Sequence, residues 1–196
     1  MGTLLHQSIP VEAQTPHVHL SERHGRLLFG ETHAFSFLRP RPYLDGQFVY
    51  REDVRVAGPS GMLAHVTIIG PAWEETQLEL SLGDARVLGL EIPDRDSGDT
   101  RKSPSVRLQG PAGAIDLTQG VLIPLPHLHL SPNDAEDFHV QNGQRVRVCL
   151  AHDPRETFDN VLVRIHPSYQ SVFHVMLGSA PGAWLSPGVH IQLVHT

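Results

Sequence analysis

The chain has 196 residues, 40% of them hydrophobic and 18% charged, with a net charge of −6; this supports one compact domain or two small ones sharing a core. Its positive charge comes from 14 Arg and the single Lys102, too sparse for the basic face that nonspecific nucleic-acid binding needs. No apolar stretch is long enough to span a membrane, the single Cys149 rules out an internal disulfide, and the N-terminus lacks the basic region and hydrophobic core of a secretory signal, so a soluble cytoplasmic protein is expected, with no nucleic acid and no membrane among its partners.

The 17 glycines and 16 prolines fall between short apolar runs, a pattern of strands joined by turns. Residues 9–11 read as a strand. Residues 17–19 read as a second, followed by Ser21 as a helix N-cap. Strands are then expected at 46–50, 53–56, 65–69, 77–81, 105–108 and 121–123. Another covers 127–129, followed by Ser131, whose Pro132-Asn133-Asp134 continuation puts proline at the first helical position and an acid at the third. The remaining strands are 145–150, where Cys149 reads as a buried structural thiol, then 161–165 and 190–194. His174 lies in the apolar run 173–176. Turns carry Pro59-Ser60-Gly61, Ser97-Gly98-Asp99, Gly110-Pro111-Ala112-Gly113 and Asn142-Gly143. This spacing predicts an all-β architecture of barrels with minor helices.

The chain holds 14 histidines, and four of them recur in a repeated motif. Pro16-His17-Val18-His19-Leu20-Ser21 returns as Pro126-His127-Leu128-His129-Leu130-Ser131. Side chains alternate faces along a strand, so each His-x-His sends both imidazoles to one side and Val18 or Leu128 to the other. Two neutral imidazoles on one face form half a metal site. A single His-x-His is more often ordinary surface or core histidine; two copies in matched contexts point to metal binding and to a duplicated domain. In the strand over 77–81, Leu78 and Leu80 share one face and Gln77, Glu79 and Ser81 the other. Glu79 is then either an ordinary exposed carboxylate or, if its face turns toward the histidine pairs, a ligand. His174 taken alone reads as a satisfied core histidine.

These motifs, in order, resemble a known family. His17 to Ser21, Gly70 to Ser81 with Thr76-Gln77-x-Glu79-x-Ser81, Arg95-x-Ser97-Gly98-Asp99, the second His127-x-His129 and Phe158 to Arg164 are similar to the PduL-type phosphate propanoyltransferases over residues 9–185. The resemblance implies two related β-barrel domains capped by short α-helices: a first over 17–123 and a second over 124–196 completed by the N-terminal strand in 1–16. It implies an active site between them with two zinc ions. His17, His19 and Glu79 would hold one, with the sulfur of coenzyme A completing it, and His127, His129 and His174 the other. Ser81 falls where some relatives supply a cysteine. Glu79, Ser81 and Arg95 are the implied catalytic residues, acyl-CoA and phosphate the implied substrates, and transfer of a short acyl group between CoA and phosphate the implied reaction. Exposed barrel edges leave room for a homodimer.

Three departures from the family pattern stand out. Arginine before each histidine pair is replaced by Pro16 and Pro126, and arginine three residues before Thr76 by Trp73. The residues after His174 are Met176-Leu177-Gly178-Ser179 rather than acidic. Each arginine lost is a fixed charge and a fork of donors lost, so phosphate recognition is expected to be weakened, moved or lost, with Arg95 as the nearest pattern-matched cation. The alternatives left open are a zinc-dependent acyl-CoA hydrolase or a transferase with a non-phosphate acceptor, and a noncatalytic metal-binding homologue. Residues 1–9 are too short and too poorly periodic for the amphipathic helical extension found on relatives packaged in microcompartments, which favours residence outside such compartments.

Overall fold

The computed structural model describes residues 3–4, 8–92, 94–178 and 188–195, without the side chains of residues 3, 4, 94, 95 and 195. Sixteen strands and three short helices follow one another along these residues. The first part holds β1 (Thr3–Leu4), β2 (Ile9–Gln14), β3 (His17–His19), α1 (Glu22–Phe29), β4 (Phe37–Pro40), β5 (Phe48–Ala57), β6 (Met62–Gly70), β7 (Gln77–Glu79), α2 (Leu82–Leu88) and β8 (Asp94–Arg95). Then come β9 (Val106–Gln109), β10 (Ala114–Leu117), β11 (Val121–Pro124), β12 (His127–Leu130), α3 (Pro132–Asp137), β13 (Arg145–Leu150), β14 (Thr157–Ile165), β15 (Val172–Met176) and β16 (His190–His195). No helix among the described residues is long and apolar enough to cross a membrane.

The strands form two compact units. One comprises Met1–Gln14, Pro42–Asp45 and Leu125–Thr196, the other Thr15–Arg41 and Gly46–Pro124. In the first, the order β16-β13-β14-β12-β15-β2 closes on itself through the β16–β2 pairing, giving a six-stranded barrel. Its core gathers Ile9, Leu128, Leu130, Phe138, Phe158 and Phe173, all buried. In the second, the order β10-β9-β5-β6-β3-β7-β11-β8 curls into a half-barrel without closing, around Val18, Leu28, Val56, Ile68, Leu78 and Leu108. The all-β expectation with short capping helices therefore holds, with one barrel closed and one open.

Local chemistry accounts for most elements. Inward and outward residues alternate along β5, where Val54 and Val56 are buried between exposed charges. The strands expected at 46–50 and 53–56 are this one continuous strand; an irregular register against β6 between Val49 and Asp53 absorbs the misfit. Both predicted caps form: the Ser21 hydroxyl accepts from the His24 N–H and the Ser131 hydroxyl from the Asp134 N–H. The strand expected over 77–81 stops at Glu79, because Ser81 caps α2 instead. Its hydroxyl accepts from the Asp84 N–H at 3.1 Å while the Asp84 carboxylate accepts from the Ser81 N–H at 2.9 Å. α2 ends at Gly89 in the left-handed conformation (φ 74°), where a Cβ would lie 2.2 Å from the Ser60 hydroxyl oxygen.

Candidate metal centre

The two histidine strands occupy the same place in their own sheets. β3 lies between β6, parallel to it, and β7, antiparallel. β12 lies between β14, parallel, and β15, antiparallel. Directly opposite residues share a face, so the antiparallel neighbour brings a third side chain beside each pair. Glu79 is the register partner of His17, and His174 the register partner of His127. Val18 and Leu128 point the other way and are fully buried in their cores, the alternation that His-x-His on a strand requires.

Each leading histidine is oriented by its own backbone. His17 Nδ1–H donates to the Thr15 carbonyl at 2.8 Å, and His127 Nδ1–H donates to the Leu125 carbonyl at 2.9 Å. A carbonyl only accepts, so each ring carries its proton on Nδ1 and presents the Nε2 lone pair to the site, the tautomer a metal ligand needs.

In the closed barrel, His127, His129 and His174 are buried and offer ligand atoms that all lie within 4.8 Å of one another. Their rings pack at 4.6–5.2 Å between centroids. The Gln14 amide nitrogen approaches His174 Nδ1 at 3.0 Å, and the Glu12 carboxylate approaches His174 Nε2 at 2.6 Å. Arg164, on β14, is the register partner of His129, and Tyr169 meets the His129 ring edge-on.

In the half-barrel, Glu79 Oε2 lies 3.2 Å from His17 Nε2 with both side chains buried. Glu79 Oε1 accepts from the Gln77 amide at 2.7 Å and from the Ser97 hydroxyl at 2.5 Å. Burial pushes the Glu79 carboxyl up, but the hydrogen bond and charge of His17, together with His19 and Ser97, hold it well below the usual carboxylate range. Glu79 is thus a buried carboxylate, not an exposed one. Burial first, then the neighbouring His17, lower the His19 imidazole to about 3, which keeps it neutral. The Trp73 indole stacks on the His19 ring at 3.6 Å with planes 10° apart, and the Trp73 backbone N–H donates to the Leu20 carbonyl at 3.0 Å. Arg41, itself buried, sits close enough to disfavour a charged His19. This set is looser than the tris-histidine set, which is the one three-residue array of ligand atoms within 4.8 Å among the described residues.

The other residues singled out from sequence lie as follows. The Ser81 hydroxyl is engaged by Asp84, 2.5 Å from its carboxylate, in the capping box. The backbone of Arg95 pairs with Pro124; its side chain lies outside the described residues. Within the same Arg-x-Ser-Gly-Asp motif it is Ser97 that reaches Glu79, while the Gly98 N–H donates to the Gln77 side-chain carbonyl. Sequence reasoning missed Glu12, Gln14, Arg41 and Arg164. The polar alternation Val11-Glu12-Ala13-Gln14 was a readable sign that β2 has a polar face. The two arginines become informative only through packing and register.

The profile of the phosphate propanoyltransferase family matches residues 10–185. A phosphate propanoyltransferase of Alkaliphilus metalliredigens is 37% identical over 186 residues, covering 95% of this chain and 87% of the relative. Those of Shewanella putrefaciens and Thermotoga maritima are 38% and 36% identical, covering 93% and 95% of this chain and 86% and 89% of the relatives.

Proposed function

Because the chain belongs to the phosphate propanoyltransferase family, and so is an acyl-transferring enzyme, we propose that it exchanges CoA and inorganic phosphate on short acyl groups (acyl-CoA + phosphate = acyl phosphate + CoA). We read the two units as copies of one duplicated domain and the two histidine sets as divalent-cation sites, zinc being the ion best suited to their donors. The observation that carries the reading is the shared architecture of the two sets: in each, a buried His-x-His strand faces a third ligand in the register position opposite its leading histidine.

The donor sets fit such ions. The tris-histidine array converges to within 4.8 Å, and both leading histidines have their Nδ1 protons occupied by carbonyls. His127, His129 and His174 would hold one ion, and His17, His19 and Glu79 the other. Bound there, zinc supplies Lewis-acid stabilisation of a thiolate or of the thioester oxygen.

The chain's own residues supply the rest. Gln77 and Ser97 hold the Glu79 carboxylate in one orientation from the side away from His17. Trp73 covers the face of His19 and keeps water from it. Arg41 and Arg164 are the cations we assign to anion recognition in place of the arginines absent at 16, 73 and 126, a task for which guanidinium geometry is suited.

The test is thiol release from propanoyl-CoA by zinc-loaded protein with and without phosphate. Release that requires phosphate is expected. Release indifferent to phosphate would replace this reading by a hydrolase. His17→Ala and His127→Ala should each abolish transfer and lose bound zinc; full activity in either variant refutes the two-ion assignment.

A further inference from the structure

In each unit the second histidine of the pair meets an aromatic ring from the loop that leads into the strand carrying the third ligand. In the half-barrel, the loop between β6 and β7 bonds back to the chain just after the histidine strand through the Trp73 backbone N–H on the Leu20 carbonyl, and the Trp73 indole stacks on His19. In the closed barrel, the loop between β14 and β15 bonds back in the same way. The His166 N–H donates to the Leu130 carbonyl at 3.2 Å, and the Tyr169 ring stands at 88° to the His129 ring with centroids 4.3 Å apart. The sequence builds this second loop locally. His166-Pro167-Ser168-Tyr169 is a turn closed by the Tyr169 N–H on the His166 carbonyl at 3.0 Å, with proline at the second position, where its fixed φ is suited.

Tyr169 is also held by a second segment. Pro42–Asp45 belongs to the closed-barrel unit, and Leu44 is the antiparallel bridge partner of Tyr169. The Gln170 N–H donates to the Tyr43 carbonyl at 2.9 Å and the Asp45 N–H to the Ser168 carbonyl at 3.1 Å, one on either side of that pair. Residues paired in this way put their side chains on one face at the closer of the two antiparallel spacings, so Leu44, which is 3% exposed, backs the Tyr169 ring. Tyr43 takes a left-handed φ of 65° beside it, a conformation that a tyrosine keeps only where its surroundings hold it.

We propose that Tyr169, backed by Leu44, is a positioning residue for His129, holding its imidazole at the angle at which it joins His127 and His174 around a cation. The inference rests on the metal-centre reading given above. Rotation about the bond to an imidazole ring is soft, so the strand fixes where the His129 side chain leaves the backbone but not how its ring is turned. The Tyr169 ring, in van der Waals contact and perpendicular to it, limits that rotation by shape. Leu44 in turn limits the movement of Tyr169, so a residue far from the histidines in sequence bears on the geometry of the centre. The ring of Tyr169 does this work, and its hydroxyl is dispensable for it.

The test uses the full chain carrying His17→Ala and His19→Ala, so that only the tris-histidine set binds. Zinc affinity is read by competition with a chromophoric chelator, coordination geometry by the visible absorption of the cobalt(II) form, and stability by urea unfolding of the metal-free protein. Tyr169→Leu is expected to weaken zinc about tenfold and to shift the cobalt bands. Tyr169→Phe, which keeps the ring, should match the parent in both. Leu44→Ala should shift the bands in the same direction by less, and should add nothing on top of Tyr169→Leu, because it acts through that ring. Unchanged affinity and spectrum in Tyr169→Leu, with binding still abolished by His129→Ala, overturns the proposal and leaves the metal-centre reading standing. Lower stability in urea with an unchanged spectrum also overturns it, because Tyr169 would then be a packing residue. A Tyr169→Phe variant as impaired as Tyr169→Leu overturns it in favour of the hydroxyl, and a Leu44→Ala shift that adds to that of Tyr169→Leu overturns the part given to Leu44. No zinc or cobalt bound by the parent refutes both readings.

Discussion

Replacing Gln77 by methionine would separate the support of Glu79 from the ligand itself. Gln77 is 2% exposed; its amide donates to Glu79 Oε1 at 2.7 Å and to the Ser97 hydroxyl at 3.0 Å, and its carbonyl accepts from the Gly98 N–H at 3.0 Å. Methionine keeps the length and fills the space but makes none of these three bonds. Gly98 is exposed and can turn its N–H to water, and the half-buried Ser97 hydroxyl keeps its own bond to Glu79, so the main loss is one hydrogen bond to a buried carboxylate, worth about 1.5–3 kcal/mol. The Ser97 hydroxyl and His17 still hold Glu79, which places the expected destabilisation near the lower figure. Partners that orient ligating groups typically change metal affinity by about 10–100-fold, or about 1.4–2.7 kcal/mol. The assay is zinc competition against a chelator in a His127→Ala background, which leaves only the His17, His19 and Glu79 set, alongside urea unfolding of the metal-free protein. Destabilisation with unchanged zinc affinity would refute the orienting role and leave Gln77 as a packing residue.

Three further outcomes follow from the structure. Leu128→Ala, at a fully buried position between the two barrel histidines, should cost about 2–5 kcal/mol by urea unfolding; a loss under about 1 kcal/mol would mean that His127 and His129 do not face away from the core. Trp73→Arg should lower the KM for phosphate by about tenfold or more, the worth of one charge-assisted contact, while an unchanged KM would show that the indole does not stand in an acceptor site. In the metal-free protein His19 is lowered from 6.5 to about 3, so the unfolded chain takes up a proton that the folded chain refuses. Stability should therefore fall as pH drops from about 6.5 toward 3, by on the order of 1 kcal/mol per pH unit from this group, and His19→Gln should remove that share of the slope in pH-dependent urea titrations.

Much of the site was legible in the sequence because strand alternation is a local rule. His-x-His puts two imidazoles on one face whatever the rest of the fold does, and the flanking Val18 and Leu128 had to face a core. Ser21 and Ser131 announced their helices because a cap is satisfied within three residues. The capping box Ser81-x-x-Asp84 was equally local, yet α2 went unread because the alternation of 77–81 was extended one residue pair too far.

What the tertiary structure alone decided is which distant residues stand opposite the histidines. Nothing in local periodicity says that β7 runs antiparallel beside β3 with Glu79 against His17, or that β15 sets His174 against His127; taken alone, Glu79 read as an exposed acid and His174 as a core residue. Pairing across a sheet depends on long-range closure, not on the strand's own pattern. Glu12 shows this most sharply. It belongs to a strand next to β3 in the chain, yet that strand completes the barrel around β12 and β15, where its neighbour Gln14 meets a residue 160 positions away. Spacing determined that the chain carries two His-x-His strands with both imidazoles on one face; long-range strand pairing determined that Glu79 stands opposite His17 and His174 opposite His127.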